Sequence, residues 1–326
     1  MPPFSRGRVT VEVHLDPEEL ARSLREDARR GLGSAPKALP PKWFYDERGS
    51  VLFERITQLP EYYPTRRERE ILEARAGELA PLTGADTLIE LGSGFSSKTR
   101  ILLDALRDSL RLFVPFDVSE PTLREASEAI AREHPTLRVH AVVGDFQRHL
   151  GLLPRRGKRL IAFLGSTIGN LTPDERAKLL ADLAGGMGPG DAFLLGTDLV
   201  KDVGRLEAAY NDSAGVTAQF NLNVLRVLNR ELGADFDLDR FSHRALWVPE
   251  QEWIEMRLRA SAAHTVHLPA VGLDVAFVEG EELRTEISAK FRRTGVEAEL
   301  DAAGLEARAW WADSHGDFAL TVAAPA

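Results

Sequence analysis

Four polar turns follow short apolar runs along this chain: Leu88-Ile89-Glu90-Leu91-Gly92-Ser93-Gly94, Asp117, Gly144-Asp145-Phe146, and Gly165-Ser166-Thr167-Ile168-Gly169-Asn170. These residue types suit recognition of a nucleotide. Glycines let the backbone bend tightly and approach a ligand, and the next helix, expected to begin at Ser96 or Ser97, would aim unpaired N–H groups at the same point. An acid about twenty residues beyond such glycines can accept from two ribose hydroxyls, which is the role that fits Asp117. An Asp followed by an aromatic residue suits an adenine: Asp145 would accept from the exocyclic amine while Phe146 covers the ring. Each turn alone could be a cap or a tight connection, but four in order are harder to dismiss.

The elements that must position these turns can be read from periodicity. Strands are expected over 87–91, 112–116, 137–143, 160–164 and 192–196, with helices over 97–106, 120–133 and 173–187, the alternation of a parallel sheet covered on both faces. Upstream, residues 1–14 read as a loose tail. Asp16-Pro17-Glu18-Glu19 opens a helix ending near Gly31 or Gly33. Residues 34–64 read as a long aromatic loop, carrying Trp43, Phe44, Tyr45, Phe53, Tyr62 and Tyr63 among five prolines. Thr65 and Glu68 read as a capping box for a helix running to about residue 79. After Asp198 the rhythm changes. Residues 201–234 read as helix, with Val216, Phe220, Val224, Val227, Leu228 and Leu232 along one stripe, and residues 242–288 alternate as antiparallel strands. A helix over 293–303 and strands over 305–311 and 318–322 return to the first sheet. The expected organisation is therefore a cofactor-binding α/β domain over 1–200 that includes the N-terminal helical and aromatic arm, an inserted α+β lid over 201–286 that supplies part of a substrate pocket, and a return over 287–326. The cofactor follows from the turns: Ser96 stands where a dinucleotide fold places its third glycine, which favours S-adenosylmethionine over a nicotinamide dinucleotide.

Composition excludes several alternatives. At 326 residues and 44% hydrophobic content the chain can bury a large core, and a net charge of −9 disfavours a nucleic-acid or anionic-membrane surface. The densest basic run, Arg155 to Arg159, reads as a solvated loop. No cysteine is present, which fits a reducing compartment and removes disulfides and thiolate metal sites. The N-terminus lacks the apolar stretch of a signal peptide and no window reaches the ~18 apolar residues of a membrane span, so the expectation is a cytoplasmic protein with no obligate protein partner. The eight histidines form no metal-binding motif; His264 and His267, three apart in an alternating segment, should face opposite sides, and no metal is expected.

Longer motifs carry a family resemblance. LPPKWFYDERGSVLFERITQLPEYYPTRRE, ELGSGFSSKTR, FLGSTIGNLTP, LLGTDLVKD and EISAKF resemble the histidine-specific, S-adenosylmethionine-dependent methyltransferases of ergothioneine biosynthesis, over a span from about residue 20 to the C-terminus. The resemblance implies a class I, Rossmann-like α/β methyltransferase sheet with an inserted α+β substrate-binding domain. It also implies stepwise methylation of the α-amine of L-histidine to hercynine. Carried over residue by residue, it puts Tyr45, Gly92, Lys98, Asp117, Asp145 and Phe146 around the cofactor. Tyr62, Asn170 and Tyr210 would hold the amino-acid head group, with Tyr62 and Asn170 acting on the reacting amine. Glu286 and Ser288 would hydrogen-bond the imidazole, Met256 and Phe53 would line the pocket, and Gly165 would lie close to the amine. Phe95 is bulkier than the turn is expected to carry, and the connection from Arg107 to Phe113 is short. The remaining alternatives are a methyltransferase of another amino acid or small amine, a non-catalytic sensor of S-adenosylmethionine or histidine, and, more distantly, a nicotinamide oxidoreductase.

Overall fold

The computed structural model describes residues 8–94 and 98–326, so Phe95 and the expected helix start at Ser96 or Ser97 lie outside the described residues. In chain order the strands are β1 (Val9–Val13), β2 (Thr87–Leu91), β3 (Leu112–Asp117), β4 (Arg138–Val143), β5 (Arg159–Phe163), β6 (Ala192–Asp198), β7 (Phe241–Val248), β8 (Trp253–Ala260), β9 (His264–Leu268), β10 (Leu273–Phe277), β11 (Glu282–Ala289), β12 (Leu305–Ala312) and β13 (Phe318–Pro325). The chain divides into two compact units: Met1–Leu15 with Pro64–Leu199 and Phe291–Ala326, and Asp16–Tyr63 with Val200–Lys290. Residues 16–63, expected to belong to the methyltransferase domain, thus group with the inserted segment.

The first unit is the expected α/β sheet. Its order is β1-β4-β3-β2-β5-β6-β13-β12. Strands β1 to β6 pair in parallel and β13 runs antiparallel between β6 and β12. Every residue of β2, β5 and β6 is buried, as a strand covered on both faces must be. One side chain set from these strands, including Leu88, Phe113, Leu160 and Leu194, packs with Ile71, Leu72, Leu103 and Leu106 of the helices Pro64–Arg75 and Thr99–Leu106. The order reverses between β2, whose other neighbour is β3, and β5. Ligands of open α/β sheets bind outside the strand ends at such a switch point.

Three expectations need correction in this unit. The segment expected as a loose tail contains β1, whose β-branched run Val9-Thr10-Val11 finds hydrogen-bonding partners on the edge of β4. The capping box of Thr65 and Glu68 is absent, because the helix begins at Pro64 and the Glu68 carboxylate is used elsewhere. Arg159, expected in a solvated loop, is buried and bonded to Asp191, whose carboxylate also accepts from the Arg159 N–H.

The second unit is α+β. A helix over Pro17–Leu32 is capped by Asp16, which accepts from Glu18 N–H. Residues 34–64 are not a continuous loop: they hold a helix over Glu47–Thr57, capped by Asp46 on Gly49 N–H at 2.8 Å. The expected long helix over 201–234 is two helices, Val203–Tyr210 and Val216–Leu232. Between them the Asp212 carboxylate accepts from Val216 N–H and Thr217 N–H at 2.9 and 2.7 Å, restarting the helix after a break. Strands β7, β8 and β11 form an antiparallel sheet in the order β11-β8-β7, and β9 pairs with β10. The apolar stripe of the second helix, including Phe220, Val224 and Leu228, packs with Phe44, Leu52, Ile254 and Leu258. His264 stacks on Phe277 while His267 is exposed beside Asp274, so they do face opposite ways. No helix of the described residues is long and apolar enough to cross a membrane.

Candidate active site

In the first unit the polar strand ends are held in a fixed pattern. The β2 turn leaves the sheet through Gly92 and Gly94, both at positive φ (67° and 49°), where a Cβ would meet no atom of the described residues within 4 Å. The backbone is therefore bare and open to a ligand. Asp117, at the end of β3, accepts from Gly94 N–H and Ser119 N–H, both at 2.9 Å, one on each carboxylate oxygen. Val118 N–H is a third backbone donor to this carboxylate, and the acceptor capacity that remains suits a ribose hydroxyl, so the residues present fit that group. Burial pushes the Asp117 carboxyl above its ordinary range, against the opposing pull of its backbone donors.

Glu90 serves the same turn from beneath. Its buried carboxyl accepts from Ser93 Oγ at 2.9 Å and from Thr99 Oγ1, tying the glycine turn to the following helix. Burial raises it to about 7. Asp145 caps the short helix Phe146–His149 through Gln147 N–H at 2.9 Å, and the Phe146 ring stands edge-on to Phe163 at 5.2 Å. Asn170 ends the 3-10 turn Thr167–Asn170 half-buried, and its side-chain amide has no hydrogen-bond partner among the described residues.

Glu68 was missed by sequence reasoning. Fully buried, it accepts from Gly165 N–H at 2.7 Å through one oxygen and pairs with Lys98 through the other. It thereby links the β2 turn to the β5 turn, where Gly165 (φ 73°) and Ser166 (φ 56°) adopt the left-handed region. Ser166 holds that strained conformation while its hydroxyl accepts from Asp198 N–H at 2.9 Å.

The second unit assembles a separate polar cluster. Tyr45, Phe53 and Tyr62 form a chain of edge-on rings, with Tyr62 to Tyr210 at 6.3 Å. On β11 a register shift between Arg284 and Glu286 leaves Thr285 unpaired in the ladder and sets Glu286 opposite Met256 of β8. Glu286 and Ser288 then share one face, two residues apart. The Glu286 carboxyl is buried, and no hydrogen bond reaches it from the described residues. Burial drives it up to about 8, the nearby Lys290 charge pulling only partly the other way. Ser288 Oγ lies 2.7 Å from Tyr210 OH, and buried Lys290 donates to both.

His243 braces this cluster. Asn221 Nδ2 donates to His243 Nδ1 at 2.8 Å and to Arg257 O at 3.1 Å, while Asn221 Oδ1 accepts from Thr285 Oγ1. Nδ1 is therefore the acceptor, and Nε2–H donates to Tyr210 O at 2.8 Å, which fixes a neutral ring. Burial accordingly lowers His243 below its ordinary range.

Gly92, Lys98, Asp117, Asp145, Phe146, Gly165 and Asn170 thus belong to the first unit. Phe53, Tyr62, Tyr210, Met256, Glu286 and Ser288 belong to the second, and so does Tyr45, expected with the cofactor. The signal for Lys290 was available in Glu286-Ile287-Ser288-Ala289-Lys290, where polar residues recur at the strand period. His243 and Glu68 had none, because their partners are distant in sequence. Among the described residues, Glu70, Asp313 and His315 are the group with metal-ligand spacing, but Glu70 accepts from Ser314 N–H and Asp313 from three nearby backbone N–H groups.

Comparison with known proteins bears on what these clusters serve. Residues 24–325 match the family described as histidine-specific methyltransferase, SAM-dependent. A histidine N-alpha-methyltransferase of Mycolicibacterium smegmatis is 58% identical over 317 residues, covering 97% of this chain and 99% of that protein. One from Mycobacterium tuberculosis is 58% identical over 319 residues, with the same coverage of both. Ergothioneine biosynthesis protein 1 of Neurospora crassa is 32% identical over 270 residues, covering 76% of this chain and 30% of the longer fungal protein.

Proposed function

This chain belongs to the family of histidine-specific, S-adenosylmethionine-dependent methyltransferases, and from that premise we infer that it methylates the α-amine of L-histidine three times, giving hercynine, the first step of ergothioneine biosynthesis. The single observation that carries the choice of substrate is the Glu286 carboxyl, buried without a donor among the described residues. A buried carboxyl in that state is unfavourable unless a ligand brings an N–H to it. An imidazole does, whereas a hydrocarbon or phenyl side chain does not.

S-adenosylmethionine, when bound, supplies a methyl group already activated on a sulfonium. The fit of the first unit to that group rests on the open glycine turn and the remaining acceptor capacity of Asp117. Gly92, Lys98, Asp145, Phe146 and Tyr45 complete the assignment that the resemblance implies. Catalysis then falls chiefly to positioning, because no covalent enzyme intermediate is needed. Asn170 accepts an amine N–H through Oδ1 and keeps the lone pair directed away from itself. Tyr62 holds the carboxylate, while Tyr210, expected beside it, is turned to Ser288 Oγ at 2.7 Å; Gly165 leaves room beside the amine, and Met256 and Phe53 shape the ring pocket. Every methylation removes one N–H, so the hold of Asn170 weakens stepwise, and aromatic faces such as Phe53 supply attraction to the quaternary product.

A cytoplasmic setting without nucleic-acid or membrane partners is part of the same reading, supported by a cysteine-free sequence of net charge −9. The two clusters can be tested separately by calorimetry. Glu286→Ala should lose histidine affinity and keep that for S-adenosylhomocysteine. Loss of both ligands, or of neither, would contradict the assignment.

A further inference from the structure

Lys290 is 3% exposed and donates to Tyr210 OH at 2.9 Å and to Ser288 Oγ at 2.8 Å, while those two oxygens lie 2.7 Å apart. The three groups form a closed ring, and the relative acidity of its hydroxyls sets its polarity. An ammonium has donors and no acceptor, so both oxygens accept from Lys290. Between the oxygens one hydroxyl proton is used. A phenol is the stronger acid and an alcohol oxygen the better acceptor, so that bond runs from Tyr210 O–H to Ser288 Oγ. Ser288 then has both lone pairs occupied, one by Lys290 and one by Tyr210. Only its proton is left for a ligand.

We propose that Lys290 and Tyr210 act as positioning residues that make Ser288 an obligate hydrogen-bond donor, so that Glu286 and Ser288 together select a ring bearing one N–H and one bare nitrogen. The proposal rests on the reading of Glu286 and Ser288 as the imidazole partners. It assigns Lys290 a specificity role, although its hydrogen bonds in the trio go to other side chains. A serine free to turn could meet a ring C–H with a lone pair, whereas a locked donor facing C–H is left unpaired. Buried groups left unpaired are the strongest source of discrimination between similar substrates.

The test uses the full chain, S-adenosylmethionine, histidine and the two pyrrolylalanine isomers that keep an N–H and carry C–H in place of the bare nitrogen. The ratio of kcat/KM for histidine to that for the better pyrrolylalanine is measured in the parent, Lys290→Met, Tyr210→Phe and Ser288→Ala. The parent ratio is expected on the order of 10². Lys290→Met and Tyr210→Phe should each narrow it about tenfold, because Ser288 regains an acceptor site and the analogue improves relative to histidine. A purely structural role would slow both substrates by the same factor and leave the ratio at its parent value, which overturns the proposal. Should Lys290→Met fail to fold, Tyr210→Phe, which removes a single oxygen, decides alone. Ser288→Ala separates the two levels: a ratio unchanged there removes Ser288 from the imidazole and with it the underlying reading. A ratio that collapses there but holds in the folded Lys290 and Tyr210 variants overturns only the locking mechanism.

Discussion

Replacing Glu286 by Gln should stabilise the ligand-free protein while weakening its hold on histidine. The carboxyl sits in a site that offers it no donor among the described residues, and burial lifts it from an ordinary 4.5 to about 8. At about 1.4 kcal/mol per pH unit, that step disfavours the charged form by about 5 kcal/mol. Below pH 4.5 both folded and unfolded chains hold the proton and Glu286 does not affect stability. Between 4.5 and about 8 the unfolded chain has lost the proton and the folded chain keeps it, so parent stability falls as pH rises. The deficit reaches about 3 kcal/mol at pH 7 and its full size above pH 8. Glu286→Gln removes that slope and keeps the volume. Urea unfolding of the parent and the variant at pH 5, 7 and 9, without histidine, should show curves that coincide at the acid end and diverge upward in favour of the variant. Histidine should reverse the order, because a ligand N–H to a charged acceptor is worth about 1.5–3 kcal/mol. Equal stability of the two proteins from pH 5 to 9 would refute the donor-free burial of this carboxyl.

Further outcomes follow from the other positioned groups. Asp117→Ala removes the acceptor of Gly94 N–H and the expected ribose contacts, so affinity for S-adenosylhomocysteine by calorimetry should fall at least about tenfold with histidine affinity largely retained. Glu68→Ala leaves Lys98 and Gly165 N–H without their buried acceptor and should lower unfolding free energy by about 3 kcal/mol in urea titration. His243 is held neutral below its ordinary 6.5, so its contribution is intact above that value and is lost as pH falls through the lower folded value. His243→Gln should flatten that part of the acid limb of a stability profile. Turnover should rise from pH 6 to pH 9 under single-turnover conditions, because the α-amine must lose its proton before it can accept a methyl group.

The sheet was legible because its strands are short, apolar and separated by turns with polar ends. The expected strand over 87–91 and helix over 120–133 coincide with Thr87–Leu91 and Glu120–Glu133. Errors arose where local signals competed. Asn211-Asp212-Ser213-Ala214-Gly215 breaks an otherwise continuous apolar stripe, and its turn chemistry was outweighed by the stripe on either side. Prolines and aromatics around the helix Glu47–Thr57 made a helix resemble a loop. Glu68 satisfied the spacing of a capping box, yet its carboxylate answers to Gly165, 97 residues away. Tertiary partners at that separation leave no periodic trace. The same limit explains why the strand spacing could put Glu286 and Ser288 on one face but could not reveal that Glu286 lacks a donor among the described residues or that Ser288 is bonded to Tyr210 and Lys290.

The most direct test of the substrate assignment is a competition among amino acids. The protein is incubated with S-adenosylmethionine labelled in its methyl group and an equimolar mixture of the common amino acids, and the products are identified by mass and fragmentation. The account predicts that label accumulates on histidine alone, on the α-nitrogen, through one and two methyl groups to three, with the imidazole unmodified. Label on another amino acid, or on a ring nitrogen of histidine, would contradict it.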